Sequence, residues 1–351
     1  MSMQTEHSRS FFWVWPQCLI RNRLLIACVL VTVVAATYVS GLIGVPFETG
    51  TFSSLMVLFT VLLPLYLILL LVGRFMYLAF VLRPERPIHQ MVADVVRVFL
   101  DFERMSIGMV SLAAFIVFMG TFSYLKFAIP YIHPFSWDAT FAEWDRVLHF
   151  GTEPYKIILG LIGTPMVATG VNAAYHGWLF LIYFSVLLAC FSKENRATHY
   201  RYLIAFVLVW FGGGNVIATL LSSAGPVYYE RLGFGTDFVA LTETLKGYDA
   251  IGRIWSLNVH EMLWDGYMAE GRGGGISAMP SMHVASSVLM MLYAYTYGRW
   301  AGRVMAVFAG IIMVGSVMLA WHYAIDGYFG ALISVLGWKL AGWMVRKDGM
   351  A

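Results

Sequence analysis

The sequence has little charge. Only 12% of its 351 residues are Asp, Glu, Lys or Arg, about half the share of a soluble domain. Disorder is excluded on the same ground, because a disordered chain combines high charge with few apolar residues. There is no basic excess to mark a nucleic-acid partner, since 23 basic and 20 acidic residues leave a net charge of +3. Cysteine is scarce. Cys18, Cys28 and Cys190 lie far apart, with neither metal-ligand nor Cys-x-x-Cys spacing, so no disulfide framework and no metal site are expected. The glycines of GRGGGISAMPS are not followed by Gly-Lys-Ser/Thr, which rules out a nucleotide-binding P-loop. No internal repeat is evident.

What fills the chain is apolar: 60% hydrophobic residues and a mean hydropathy of +0.72. A bilayer core needs about 20 apolar residues in helix, and stretches at roughly 24–45, 53–73, 105–125, 171–191, 201–221, 282–298, 303–321 and 324–343 qualify. Successive spans point to helices, because lipid-exposed backbone must satisfy its own hydrogen bonds. The expected fold is therefore an all-α polytopic membrane protein with about eight transmembrane helices. The first stretch has a polar aromatic lead-in and no clean cleavage pattern, and reads as a span rather than a removable signal.

Eight crossings put both termini on one side. That side carries sixteen of the 23 basic residues but only seven of the 20 acids. The excess of Lys and Arg places both termini in the cytoplasm. The expected location is a bacterial inner (plasma) membrane. Residues 83–105 show apolar positions at helical spacing among basic residues. Two readings stay open for them: a helix lying in the cytoplasmic interface, or a continuation of the third span. Two long connections, 126–170 and 222–281, fall on the opposite side and are rich in Trp, Tyr, Pro and Gly. Compact connections are usually much shorter, so these suggest a vestibule. Within them, WDATFAEWDRVLHF reads as a short interfacial helix.

Three polar clusters reach that outer face from distant parts of the chain: Lys126 with His133 and Pro134, SAMPSMH (277–283), and AWHYAID (320–326). His322 and Asp326 are four apart, a spacing that shares one helix face. A carboxylate on one imidazole nitrogen fixes the tautomer and leaves the other nitrogen free, which describes a nucleophile with an orienting acid. His283 stands at a helix start, where backbone N–H groups favour an anion, and is placed to act as general acid. Ser281 offers a hydroxyl to phosphate. Taken singly, each group has a structural reading: a hydrogen-bonded pair at a helix end, a capped histidine, a snorkelling lysine. Their meeting on one face is what points to phosphoryl transfer.

These residues resemble the type 2 phosphatidic acid phosphatase superfamily of integral-membrane lipid phosphatases and phosphotransferases. Its first motif is a lysine, six residues, then Arg-Pro; here Lys126 and Pro134 match and His133 takes the arginine place. In the second motif, Pro-Ser-Gly-His, Pro280, Ser281 and His283 match while Met282 replaces glycine. In the third, His322 and Asp326 match, but Gly315 and Ser316 stand in the Ser-Arg places. Two arginines are thus absent. The departures, with IPYIHPFSWD (129–138) and SSAGPVYYE (222–230), are similar to the branch that includes fungal inositol phosphorylceramide synthase.

The resemblance implies a division into residues 1–104 (tail, two spans, interfacial segment), a six-helix catalytic domain at 105–345, and a cytoplasmic tail at 346–351. It further implies that His322 attacks phosphorus to form a phosphohistidine, with Asp326 orienting it and His283 moving the proton. Lys126 and Ser281 would bind phosphate oxygens, Arg272 would stand in for a missing arginine, and His133 would bind phosphate if protonated. No metal and no cofactor are expected. The substrate would be a phosphatidic acid-like or isoprenyl (di)phosphate lipid, with transfer of a headgroup phosphate onto a ceramide-like alcohol as the alternative. A transporter or a non-catalytic scaffold is the reading from another class; broken-helix repeats or midplane charges, expected of a transporter, are not evident.

Overall fold

The computed structural model describes residues 11–48, 55–269 and 275–349. In chain order, its principal helices are α1 (Phe11–Arg21), α2 (Arg23–Ile43), α3 (Leu55–Leu82), α4 (Pro87–Leu100), α5 (Phe102–Ile132), α6 (Asp138–Leu148), α7 (Pro154–Ile162), α8 (Pro165–Phe191), α9 (Arg196–Leu220), α10 (Val239–Asp249), α11 (Trp255–Ala269), α12 (Met282–Tyr295), α13 (Arg299–Met318) and α14 (Ala324–Lys347). The fold is an all-α membrane bundle. Among the described residues, seven helices are long and apolar enough to cross a bilayer: α2, α3, α5, α8, α9, α13 and α14.

The apolar stretch at 282–298 forms α12, a helix of 14 residues and so about 21 Å long. Ser281 caps its start. The chain then turns at Gly298, whose φ of +150° lies outside the helical region. α12 is therefore shorter than a full span, although it packs in the centre of the bundle against α13 and α14.

Local signals set the other boundaries. Asp101 ends α4, and its side chain accepts from the Arg104 backbone N–H (3.1 Å) to begin α5, as an N-cap does. Residues 83–105 are therefore not one continuation of the third span. They contain the separate helix α4, which has no buried residue and is tied to α3 through Arg74 and Asp94 (2.6 Å). Ile88, Val92, Val96 and Phe99 leave an apolar side of α4 exposed. WDATFAEWDRVLHF contains α6, the short helix its pattern predicts.

The core is aromatic and lies between α5, α8 and α9. Phe115 meets Phe206 edge-on (5.2 Å), Phe206 stacks on Trp210 (4.6 Å), and Trp210 contacts Phe122 (4.7 Å). Close approach there requires glycine. A Cβ on Gly214 would lie 2.8 Å from the Phe122 ring and 3.1 Å from Met282 Sδ. The GGGN stretch thus permits tight helix packing, while Asn215 donates to the Phe122 carbonyl (3.1 Å). α14 approaches α12 in the same way, since a Cβ on Gly330 would sit 2.6 Å from the Ser281 carbonyl oxygen. The two N-terminal spans are peripheral. Only 17% of the apolar stretch of α2 or of α3 is buried within the protein, against 61% for α5 and α9.

Candidate active site

The turn between α13 and α14 carries Trp321-His322-Tyr323. Ala320, at φ +62°, breaks the helical path, and the His322 backbone N–H donates to the Ser316 carbonyl (2.9 Å). His322 thus precedes α14 rather than lying on it. Capping at the start of α14, not a shared helix face, brings His322 and Asp326 together. Asp326, in the first turn of α14, accepts from the Tyr323 backbone N–H through Oδ2 (3.0 Å). The same oxygen lies 3.4 Å from His322 Nδ1, too far for a good hydrogen bond. Asp326 Oδ1 and His322 Nδ1 both remain without a hydrogen-bond partner. Burial pushes the His322 imidazole down to about 3; the nearby Lys126 charge adds to the shift and the Ala278 backbone opposes it. The ring is therefore neutral at physiological pH.

His283 sits in the first turn of α12, between the rings of Tyr175 (4.2 Å between centroids) and Trp178 (4.1 Å), both from α8. Its ring nitrogens have no hydrogen-bond partner among the described residues. The centroids of His283 and His322 are 5.9 Å apart. Both rings line one cavity of about 340 Å³, with Lys126 from α5 in the same wall. Lys126 makes no ion pair with a described residue. Three sequence-distant groups, a lysine and two imidazoles, thus share one pocket.

Behind this wall lies a layer of carboxylates. Asp138, fully buried, accepts from the backbone N–H groups of Ala224 (2.9 Å) and Gly225 (2.8 Å) and from the Tyr323 hydroxyl (2.9 Å). Asp145 accepts from Ala324 N–H (2.6 Å) and Ile325 N–H (2.9 Å), satisfying N–H groups at the start of α14 that have no partner within the helix. Burial pushes both carboxyls up to about 6, against the pull of those donors. The SSAG loop links the other clusters: Ser223 accepts from Ala278 and Met279 backbone N–H (2.9 and 3.1 Å), and Val227 N–H donates to the Ala320 carbonyl (3.1 Å). Gly225 has φ +101°, and a Cβ there would lie 2.6 Å from the Trp321 carbonyl oxygen, so only glycine fits.

The remaining expected residues fall elsewhere. Ser281 is fully buried, does not line the cavity, and its hydroxyl accepts from Val284 N–H (3.4 Å). Its own N–H donates to the Asp326 carbonyl (3.0 Å), which joins the second cluster to the third. His133 ends α5 outside the cavity, with Nδ1 2.9 Å from the Thr219 carbonyl and Nε2 3.3 Å from the Ser136 hydroxyl. Arg272 lies outside the described residues. Among the described residues no group of three or more His, Cys, Asp or Glu side chains is arranged to hold a metal ion.

Several residues at the site carry no motif signal. Tyr175 and Trp178 lie in an apolar span, and the donors that Asp138 serves lie about 90 and 185 positions away in the chain. The aspartate at the end of IPYIHPFSWD was the one available hint. His176 also lines the cavity, with Nδ1 2.9 Å from the Asn172 carbonyl.

Bundle and pocket together define an integral-membrane protein with a histidine-rich site at one end of its core helices. A family model described as the PAP2 superfamily matches residues 139–340, more than half of the chain, and the chain belongs to that superfamily. The match includes Ser281, His283, His322 and Asp326 and begins after Lys126 and His133. Membership supports a metal-independent lipid phosphatase or phosphotransferase activity. No curated protein and no solved structure matches the chain.

Proposed function

We propose that the protein transfers a phosphoryl group from a lipid phosphate by way of a phosphohistidine, and that water completes the cycle. The observation that carries this reading is the 5.9 Å between the His283 and His322 rings in a cavity that also exposes Lys126. Acid and nucleophile must flank one reacting group within a few ångströms.

In this reading His322, neutral because it is buried, uses its Nε2 lone pair to attack phosphorus. The bond from phosphorus to the lipid oxygen breaks, and His283, which takes up a proton once the phosphate's negative charge lies beside it, gives that proton to the oxygen. Asp326, on the Nδ1 side, balances the charge that the ring acquires. Apo hydrogen bonds at catalytic sites are often long and tighten as charge develops, which accounts for the 3.4 Å separation. Lys126 binds the phosphate oxygens and stabilises the added negative charge. In the second step His283 takes a proton from water, the hydroxide oxygen attacks phosphorus, the P–N bond breaks, and inorganic phosphate leaves. The substrate is a phosphatidic acid-like or isoprenyl (di)phosphate lipid. With α12, packed between α13 and α14, counted as the eighth crossing, the charge count of the connections puts the site on the extracytoplasmic side of a bacterial plasma membrane and both termini in the cytoplasm. The catalytic unit comprises residues 105–345.

A second reading replaces water with a lipid alcohol, such as a ceramide receiving phosphoinositol. It draws support from the two stretches that resemble the inositol phosphorylceramide synthase branch, which Asp138 joins directly behind the His322 turn. A purified-protein panel with product identification decides between the two. It would contain phosphatidic acid, isoprenyl diphosphates, and ceramide with phosphatidylinositol. Hydrolysis releases inorganic phosphate; transfer yields a new phospholipid. Full activity is expected in a metal chelator, and a strict requirement for added Mg²⁺ would contradict the scheme.

A further inference from the structure

A second cavity, of about 240 Å³, opens between α3, α5 and α8. Its wall is almost wholly apolar, with Leu58 and Leu62 from α3, Leu112 and Met119 from α5, and Leu187 from α8. The catalytic cavity uses the same two long helices, through Phe122 and Lys126 on α5 and Trp178 and Leu179 on α8. Positions 112, 115, 119, 122 and 126 of α5 line one cavity or the other and recur at intervals of three and four, which is the spacing of a single helix face. On α8, positions 179, 183 and 186 do the same. The two cavities therefore lie along one seam between α5 and α8.

At 1.5 Å of rise per residue, Met119 is about 10 Å and Leu112 about 21 Å along α5 from Lys126. Half of a hydrocarbon core is about 15 Å deep. A lipid whose phosphate lies beside Lys126 would have its chain at the depth of this second cavity.

We infer that the α5–α8 seam holds the hydrocarbon chain of the substrate lipid, and that Met119 and Leu112 measure its length. The inference rests on the phosphoryl-transfer reading of the site above it. Moving a chain from bilayer to groove gains no hydrophobic free energy, because lipid tails are as apolar as leucine. Selection must come from fit, in which a short chain leaves contacts unmade and a long one meets the floor. The outer wall of the groove is α3, which is mostly exposed and whose buried residues include Leu58, Leu62 and Tyr66. Both α3 and α5 lie before the region matched by the family model, so chain-length selection belongs to helices that the match does not include.

The test measures kcat/KM of the purified protein on short- and long-chain phosphatidic acids and isoprenyl phosphates. Leu112→Trp and Met119→Trp fill the seam at two depths; Ile68→Trp, on the exposed side of α3, is the control. Leu112→Trp is expected to lower the long-to-short ratio about tenfold or more. Met119→Trp should shift the cut-off to shorter chains still, and Ile68→Trp should leave the ratio unchanged. A lipid phosphate bearing a diazirine at its chain end, bound to His322→Ala protein, should label peptides containing Leu58, Leu112 or Leu187. Turnover with an unchanged ratio in both seam variants, or labelling confined to other peptides, overturns the inference alone. Absence of turnover on every lipid phosphate overturns the phosphoryl-transfer reading, and the inference with it.

Discussion

On the cavity side of the site, Lys126 and His283 have no hydrogen-bond partner among the described residues. Immediately behind, Asp138 and Asp145 between them accept from four backbone N–H groups and a tyrosine hydroxyl. Buried polar groups are normally paired, so the second layer follows the rule and the first departs from it. That contrast marks where a ligand belongs. Unpaired donors and acceptors facing a cavity are suited to an incoming anion, whereas a fully paired layer can only fix positions. Local rules are broken where a protein works and kept where it holds itself together.

The largest expected effect comes from breaking the wall. His322→Ala should lower turnover by on the order of 10⁴-fold or more while the protein stays folded, as removal of a nucleophile does. His283→Ala should cost about 10²- to 10⁴-fold, the range for general acid–base catalysis. Both are read as turnover of purified protein with an unchanged melting midpoint. Retained turnover in His322→Ala would remove the nucleophile from the scheme.

Breaking the layer behind should act first on stability. Asp138→Ala leaves three buried donors without an acceptor, at about 1–3 kcal/mol each, so a large fall in melting midpoint is expected. Tyr323→Phe removes one of those bonds and should cost about 1 kcal/mol. It should lower kcat more than it raises KM, because Tyr323 adjoins the proposed nucleophile without lining the cavity. An unchanged midpoint in Asp138→Ala would show that the carboxylate is not holding the SSAG loop to the turn.

His260, behind Trp321, makes the protein sensitive to pH. It is buried against Trp321 (4.1 Å between ring centroids), both of its ring nitrogens are unpaired, and burial pushes it down to about 3. Between its ordinary value and about 3, the unfolded chain binds a proton that the folded protein refuses, so stability falls as pH drops. At pH 5 the loss is about 2 kcal/mol. His322 behaves alike. Asp138 and Asp145, raised to about 6, act in the opposite sense: each adds about 1 kcal/mol at pH 5 that is lost as pH rises through 6. His260→Gln should be less sensitive than wild type by about 2 kcal/mol between pH 7 and pH 5, measured by thermal melting in detergent. Equal sensitivity in both proteins would mean that His260 is not buried unpaired.

Much of this was legible in the sequence, and the part that was not has a physical cause. Long apolar runs name spans because the bilayer fixes their length, and α2, α5, α8 and α14 lie where those runs do. The His322–Asp326 spacing was legible as a pair, yet the contact arises from capping at a helix start rather than from a shared helix face. Asp138 could not be assigned, because its partners lie in two distant segments and only the folded chain brings them to one carboxylate. The aromatic clamp on His283 was hidden for a related reason: Tyr175 and Trp178 look like any membrane-helix aromatics until α8 packs on α12.

Ser281 gives the smallest effect and tests the boundary between wall and layer. The motif suggests a phosphate ligand, while the fold gives its buried hydroxyl the Val284 N–H at the start of α12. Those two roles separate cleanly in Ser281→Ala. Loss of a cap costs about 1 kcal/mol and lowers the melting midpoint slightly, with KM for the lipid phosphate little changed. Loss of a phosphate contact raises KM or lowers kcat with little change in stability, since a group that waits for a ligand holds nothing in its absence. Ser281→Gly refines the distinction, because glycine is tolerated at a cap to within a few tenths of a kcal/mol yet offers no hydroxyl to phosphate. Near wild-type stability and kinetics in Ser281→Gly would place Ser281 with the aspartates behind the wall, and a kinetic defect in both variants at preserved stability would move it to the cavity side with Lys126.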